Sequence, residues 1–355
     1  MDSRNPDEPV LVPSPVDVLR HPLALAIAAV FILAAAAPAA AFGGHRPGYC
    51  TQTAWLQSAS CSRQVQEALL EAKAVCINLS DRDERMECFE EAWEERTDGN
   101  ALCRAQLGAR RNVCWLIGED RFDPEWNPDD FDDDFGDLTM LNPYWPLVPG
   151  HHWEYEAPDE TIVVDVRDAT KLIEGVTCIV VQDVVSDEDG NRIEDTFDWY
   201  GAAKNGDVHY CGEIAQNFEL FAGDDPAEAE LVDVEGSWKH GRDGAKGGIL
   251  IRKAPVVGET YRQEWFAGEA EDMATVLSNS YGYGNVPDLD QLVPQALAES
   301  LCNDDCVVTH EFSPVEPGVS ERKYYAPGIG LFLEVNLEDG DIVELTGCNF
   351  DARCP

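Results

Sequence analysis

The stretch "YRQEWFAGEAEDM", residues 261–273, gathers Arg262, Glu264, Glu269, Glu271 and Asp272 among aromatic side chains. Two carboxyl groups converging on one cleft can divide acid and base roles when their surroundings hold their protonation apart. Glu269 and Asp272 are the candidate pair for such chemistry, which would make the chain a hydrolase of envelope polymers. Strand alternation puts Arg262 and Glu264 on one sheet face and Tyr261, Gln263 and Trp265 on the other. Arg262 with Glu264 can then bind the polar headgroup of a ligand or position acid–base chemistry. The plainer reading is an exposed sheet face carrying ion pairs. Trp199, Tyr200 and Tyr210 are candidates for lining an apolar pocket, against the plainer reading of ordinary strand core.

Calcium is the one cofactor the acidic stretches admit. Asp187 and Asp189 alternate with Asn191 like the start of a calcium loop, but the position six beyond Gly190, where such a loop needs Glu, is Thr196. A type I′ hairpin turn accounts for that motif. The run at 129–134 holds Asp132 and Asp134, and hard cations favour clustered carboxylates. A solvated connector is the favoured reading of the run. His151 and His152 open a strand, where neighbouring residues face opposite ways and reach one ion only at a bulge. His209 and His310 stand alone within strands and read as structural. There is no G-x-S-x-G elbow, H-E-x-x-H, P-loop or C-x-x-C-H motif, so a non-enzymatic role is favoured.

The cysteines fix the elements that must carry these residues. Cys50, Cys61, Cys76, Cys88, Cys103 and Cys114 are separated by 11, 15, 12, 15 and 11 residues, a pattern that reads the same in both directions about residue 82. Both flanks favour helix. Eleven residues are about three helical turns, and fifteen land about 60° off the same face. An antiparallel helical hairpin folded at residue 82 therefore predicts the nested bridges Cys50–Cys114, Cys61–Cys103 and Cys76–Cys88. "TDGN" at 97–100 predicts a break in the second arm. Trp55, Leu69, Leu70, Phe89, Trp93 and Trp115 are the expected hairpin core. No C-x-x-C spacing supports a metal site there.

The fold class expected is α+β, in four parts. Residues 1–41 read as a signal peptide ending in small residues, with an uncleaved anchor as the rival. Residues 42–119 form the disulfide-bridged hairpin, 120–149 an acidic Pro-rich linker, and 150–355 a large antiparallel β domain, a curved sheet or barrel of about a dozen strands. A short helix near 287–301 interrupts it. Cys178, Cys211, Cys302, Cys306, Cys348 and Cys354 can all pair, with Cys178 expected to reach the Cys302/Cys306 segment. Twelve cysteines imply an oxidising, extracytoplasmic compartment, periplasmic or secreted. The 68 Asp and Glu against 25 Lys and Arg give a net charge of −43, which repels nucleic acid and anionic headgroups and favours solubility. No stable membrane span is expected after processing.

Five segments, "NPYWPLVPGHHWEYE", "EDTFDWYGAAKNGDVHYCGE", "GSWKHGRDGAKGGILI", "GETYRQEWFAGEAEDMATVL" and "RKYYAPGIGLFLEV", span roughly residues 142–347. In that order they resemble a family of uncharacterised secreted bacterial proteins. The resemblance implies extracytoplasmic location and an antiparallel β domain, and no activity. The cysteine hairpin and the insertion from about 280 to 303 depart from it. The leading reading is a non-enzymatic protein that binds a small or lipid-like, apolar ligand in the concavity of the β domain, since curved antiparallel sheets enclose a side-chain-lined volume. The alternatives are a surface module whose hairpin docks an envelope protein partner, which an exposed apolar stripe on the hairpin would favour, and the envelope-polymer hydrolase.

Overall fold

The computed structural model describes residues 48–355, so the expected signal peptide lies outside the described residues. Helix α1 covers Tyr49–Ile77 and helix α2 covers Arg82–Ile117. The turn between them is closed by Asp81, whose carboxylate accepts from the backbone N–H of Asp83 at 2.7 Å and of Glu84 at 3.1 Å, satisfying two of the donors a helix start leaves open. Disulfides join Cys50 to Cys114, Cys61 to Cys103 and Cys76 to Cys88, with bridged Cα atoms 5.6–5.7 Å apart. Contacts divide the described chain into two compact units, one holding Ser58–Ala105 and the other Tyr49–Gln57 with Gln106–Pro355.

In the first unit the hairpin departs from the sequence reading twice. Helix α2 runs through 97–100 without a break. Gly99 there is a packing contact: a Cβ on it would stand 2.9 Å from Val65 Cγ2. The close approach of the arms offsets the roughly 1 kcal/mol that glycine costs a helix interior. The core is also smaller than expected. Leu69 is buried, but Leu70 and Trp93 are exposed, and Cys76, Ala92 and Cys103 fill the space instead. Arms held this close by their bridges leave little room for large side chains between them. In the second unit, Trp55 and Trp115 are exposed as well, while Ala54, Val113 and Cys114 are buried.

The second unit carries the sheet. Its strands are β1 (His152–Glu156), β2 (Glu160–Ile173), β3 (Val176–Asp187), β4 (Arg192–Ala202), β5 (Val208–Glu219), β6 (Glu230–Asp233), β7 (Trp238–Lys239), β8 (Lys246–Gly247), β9 (Ile249–Ile251), β10 (Thr260–Arg262), β11 (Glu264–Trp265), β12 (Met273–Tyr281), β13 (Cys306–Phe312), β14 (Ser320–Ala326), β15 (Gly330–Asn336) and β16 (Ile342–Cys348). Hydrogen bonding follows the order β10-β12-β13-β14-β15-β16-β1-β2-β3-β4-β5-β6, antiparallel throughout, with β7 and β9 also on β5 and β8 on β11. Short turns force that direction: Asp187 closes the β3–β4 hairpin by accepting from the N–H of Asp189 and Asn191. The segment holding β8 and β9 spans the gap between β5 and β10, where Gly248 donates to Gln263 O and accepts from the Tyr210 N–H.

Cross-strand pairing lines up one face of this sheet, its interior. Trp153, Val164, Asp183 and Thr196 form one row, and Val166, Val181, Asp198 and Glu213 the next. On the far side, Val343, Glu334, Lys323, Thr309 and Val276 continue it. The opposite face of β13 and β14 is covered by residues of the insertion. Arg322 donates to the carbonyls of Asp288 and Gln291, and the Tyr324 hydroxyl to that of Leu289. Only Gln295–Leu301 is helical there (α3), because residues before Pro294 form turns instead of the longer helix expected over 287–301.

Two further expectations are corrected. Residues 120–149 pack against the sheet instead of forming a solvated linker. Trp126 stacks on His240 at 3.8 Å, Phe131 bridges Ala203, and Leu147 and Asn142 are buried. The regularly placed aromatic residues outweigh the aspartates around them. Cys178 pairs with Cys211 and not with the Cys302/Cys306 segment; Cys302 joins Cys306 and Cys348 joins Cys354. The Cys178–Cys211 bridge ties β3 to β5 beside Gly201 of β4, where a Cβ would stand 3.1 Å from the Phe131 ring, so the missing side chain makes room for that ring next to the bridge. No cysteine is free, the usage of a chain oxidised outside the cytosol.

The base of the hairpin belongs to the β unit through one buried ion pair. Arg110 Nε lies 2.9 Å from Glu271, which also accepts from Gln57 at 2.7 Å and from the Gly268 N–H at 2.9 Å. Removing one partner strands a buried charge. Glu271→Ala is expected to lower unfolding free energy by about 3–5 kcal/mol in urea titration, and Arg110→Met with Glu271→Met to recover most of it. Equal losses in the single and double variants would show that the pair is not what anchors the base.

Candidate functional site

The interior face of an antiparallel sheet is ordinarily apolar, and here it starts so, with Trp153, Tyr155, Val164, Val166 and Val181. Toward β3, β4 and β5 the same rows turn acidic with Asp183, Asp198 and Glu213, and β11 adds the buried Glu264. The Tyr210 hydroxyl lies 2.5 Å from Asp198 Oδ1 and 2.8 Å from Glu213 Oε2. Burial pushes the Asp198 carboxyl up to about 7, with the Glu194 charge adding to it and hydrogen bonds from Tyr210 and Tyr200 opposing. Burial and the Asp198 charge hold Glu213 well above the carboxylate range. Glu264 is raised by burial and then by Asp272 and Glu213; the Trp238 indole N–H approaches it without reaching hydrogen-bond geometry. Asp183 is raised by burial, then by Asp198 and Glu194, with Lys323 opposing.

Lys323 is the cation of this interior. Its Nζ lies 3.0 Å from Glu334, 3.3 Å from Glu321 and 3.7 Å from Glu311. Burial works against its charge, but the three carboxylates outweigh burial and hold it well above the ordinary lysine value. Glu311 is further satisfied by the hydroxyls of Thr309 at 2.7 Å and Tyr325 at 3.0 Å. Glu321 and Glu334 also line a cleft of about 240 Å³, together with Asp159, Glu160, Asn336 and Asp341. Elsewhere in the interior, Asp183 Oδ1 and Glu264 Oε2 are buried acceptors with no hydrogen-bond partner among the described residues. The arrangement can donate protons and accept hydrogen bonds from a cation. It offers an anion only Lys323.

No family model matches the chain, and no curated protein does. One solved structure, of a candidate lipoprotein from Parabacteroides distasonis ATCC 8503, is similar over 59% of this chain and 99% of that one, at 9% identity and a TM-score of 0.27. Likeness at that level identifies neither family nor function. Among the described residues no helix is long and apolar enough to cross a membrane.

The residues singled out from the sequence are dispersed. Arg262 and Glu264 do not share a face, because the chain breaks at Gln263, which is buried and donates to Leu250 O and Glu311. Arg262 lies over Phe122 and is lowered to about 10 by burial, while Glu264 joins the acidic interior. Glu269 is exposed at the turn closed by Phe266 and Ala270, and Asp272 follows that turn with its carboxyl raised to about 6 by burial, a hydrogen bond from Ser313 opposing. Trp199 faces away from the interior with Lys171 over its ring at 3.6 Å, whereas Tyr200 faces inward beside Tyr210. Asp187 and Asp189 form the hairpin turn. Asp132 is buried and accepts from the Thr139 N–H and hydroxyl, and Asp134 accepts from the Gly136 N–H. No group of three His, Cys, Asp or Glu among the described residues has the geometry to hold a metal ion. His152 is engaged by Asp165 and Glu154, and His151 stacks on Phe350.

The sequence reading passed over Asp183, Asp198, Glu213, Lys323 and Glu334. Their signal is parity: Asp183 stands in phase with Val181 and Val185, and Asp198 in phase with Tyr200, each an acid on an apolar face. Lys323→Met should expose what that charge offsets. At pH 7 it is expected to cost on the order of 3 kcal/mol in urea titration, and less as the pH falls and Glu334, whose carboxyl burial raises, takes up its proton. A loss independent of pH would remove the ion cluster from the account.

Proposed function

We propose that the protein is an extracytoplasmic, non-enzymatic binding protein whose β-domain interior takes a small organic cation. The observation that carries this reading is an acid-lined cleft at Glu321 and Glu334 together with a buried, partnerless carboxylate oxygen on Asp183, a group that feels both Glu334 and Lys323. An unmet buried acceptor costs about 1–3 kcal/mol, which an ammonium donor would recover. The cleft is too small and too polar for an acyl chain, which narrows a ligand of small or lipid-like kind to the small and cationic. Titration calorimetry with 1,4-diaminobutane and with decanoate tests it. The diamine is expected to bind one to one, more weakly at high salt, and roughly tenfold more weakly to Glu334→Gln. Binding of decanoate without the diamine would overturn the proposal.

A second reading, the hairpin as a docking module for an envelope protein, is favoured by exposed apolar side chains on the first unit: Leu70 is 60% exposed, Ile77 67% and Met86 52%. A photo-crosslinker at residue 74 in the exporting cell is expected to capture one discrete protein, and Leu70→Ser with Ile77→Ser to abolish capture. Unchanged capture by that variant would sink this reading.

A further inference from the structure

Counting hydrogens at Tyr210 shows more than a polar core. A phenol carries one proton, so its hydroxyl can donate to only one of two carboxylates. The second short contact is a hydrogen bond only if that carboxyl group is itself protonated and donates to the phenol oxygen. Asp198 and Glu213 are also direct cross-strand partners on β4 and β5, and both carboxyl groups reach the same phenol oxygen, at 2.5 and 2.8 Å. Two like charges in such contact, out of water, cannot both persist.

We propose that Asp198, Tyr210 and Glu213 form a proton-binding site that holds one proton between the two carboxyl groups at neutral pH and releases it on mild alkalinisation. The groups facing it favour the loaded state. From β3 comes Asp183, from β4 Glu194 and Tyr200, from β11 Glu264, and from the loop after it Asp272, four of the five acidic. From β14 Lys323 acts on Asp183, and Glu334 of β15 acts on the same group with opposite sign. The nearest cation is thus already shared among three carboxylates and cannot neutralise the pair. The pair titrates as a unit, so the proton belongs to both residues.

The consequence for stability has a definite sign. The folded pair binds its proton more tightly than the unfolded chain, whose carboxyl groups titrate near about 4. The stabilisation is therefore fully present below that value and is lost as pH rises through the folded value, so the β unit weakens between mildly acidic and mildly alkaline conditions. This holds whether or not the cleft takes a cation.

Infrared spectroscopy of the full chain from pH 5 to 9 tests the site directly through the carbonyl stretch of protonated carboxyl groups. Wild type is expected to keep that band near pH 7 and lose intensity as the pH rises further. Asp198→Asn and Glu213→Gln, each able to keep a hydrogen bond to Tyr210, should release about one proton fewer per chain in potentiometric titration over the same range. Their unfolding midpoints should fall less between pH 5 and 8.5. Glu338→Gln, an exposed turn residue, should leave the band and the proton count at wild-type values and so report general charge repulsion alone. If wild type shows no such band at pH 7, or if both interior variants release as many protons as wild type, the site does not hold a proton. Two independent interior variants keep the test open should one fail to fold.

Discussion

The β domain has to keep Asp183, Asp198, Glu213, Glu311 and Glu334 on one side of a single sheet with Lys323 as the cation among them, and Glu264 of the separate β8–β11 pair within their field. Ionised carboxylates out of water cost far more than any one hydrogen bond returns, so such a face persists only by protonation, by ion pairing, or by donors supplied from elsewhere. All three are in use. Glu311 and Glu334 are paired with Lys323, and Glu311 draws on two hydroxyls as well. Asp198 and Glu213 share Tyr210. Asp183 and Glu264 keep an unmet oxygen each, which is where an outside donor would be most strongly felt.

The remaining architecture holds that face in register. A one-residue slip between β4 and β5 would exchange Asp198 for Trp199 and turn the acids outward. The Cys178–Cys211 bridge ties β3 to β5 across β4 on the opposite side, and Phe131 packs against the same point from the 120–149 segment. On the other half of the sheet the insertion around α3 fixes β14 by accepting from Arg322 and Tyr324. Register is thus pinned by covalent and polar devices on the outer face, while the acids stand on the inner one.

Much of the fold was legible because it rests on periodicity. The mirrored cysteine spacing is a one-dimensional record of an antiparallel hairpin, and the turn motifs with β-branched runs mark strands that short loops force to be antiparallel. What the chain does not record in one dimension is which strands become neighbours beyond the adjacent ones. Cys178 had no local cue to Cys211, because the bridge depends on β3 and β5 flanking β4 in space. The same limit hid most of the interior cluster. "YRQEWFAGEAEDM" concentrates charge in sequence, yet the fold sends Arg262, Glu271 and Glu264 to different surroundings, while five acids from five strands converge. The aspartate-rich segment misled for a related reason: composition counts its acids, whereas packing is decided by Trp126, Phe131 and Leu147.

The charge of the whole chain bears on how such an interior would work. A net charge of −43 surrounds the cleft with a field that concentrates cations at its mouth and is screened beyond about 10 Å at 0.1 M salt. The surface term therefore varies with ionic strength, while the buried carboxyl groups, being little screened, do not. Proton occupancy then adds an independent control, since each proton lost from the Asp198–Glu213 pair deepens the interior potential and weakens the sheet that holds it. An acidic protein outside the cytosol meets changes in both salt and pH, and the two act on different layers of the same domain: for the cation proposed, the outer layer would govern how readily it arrives, and the inner layer how firmly it is held.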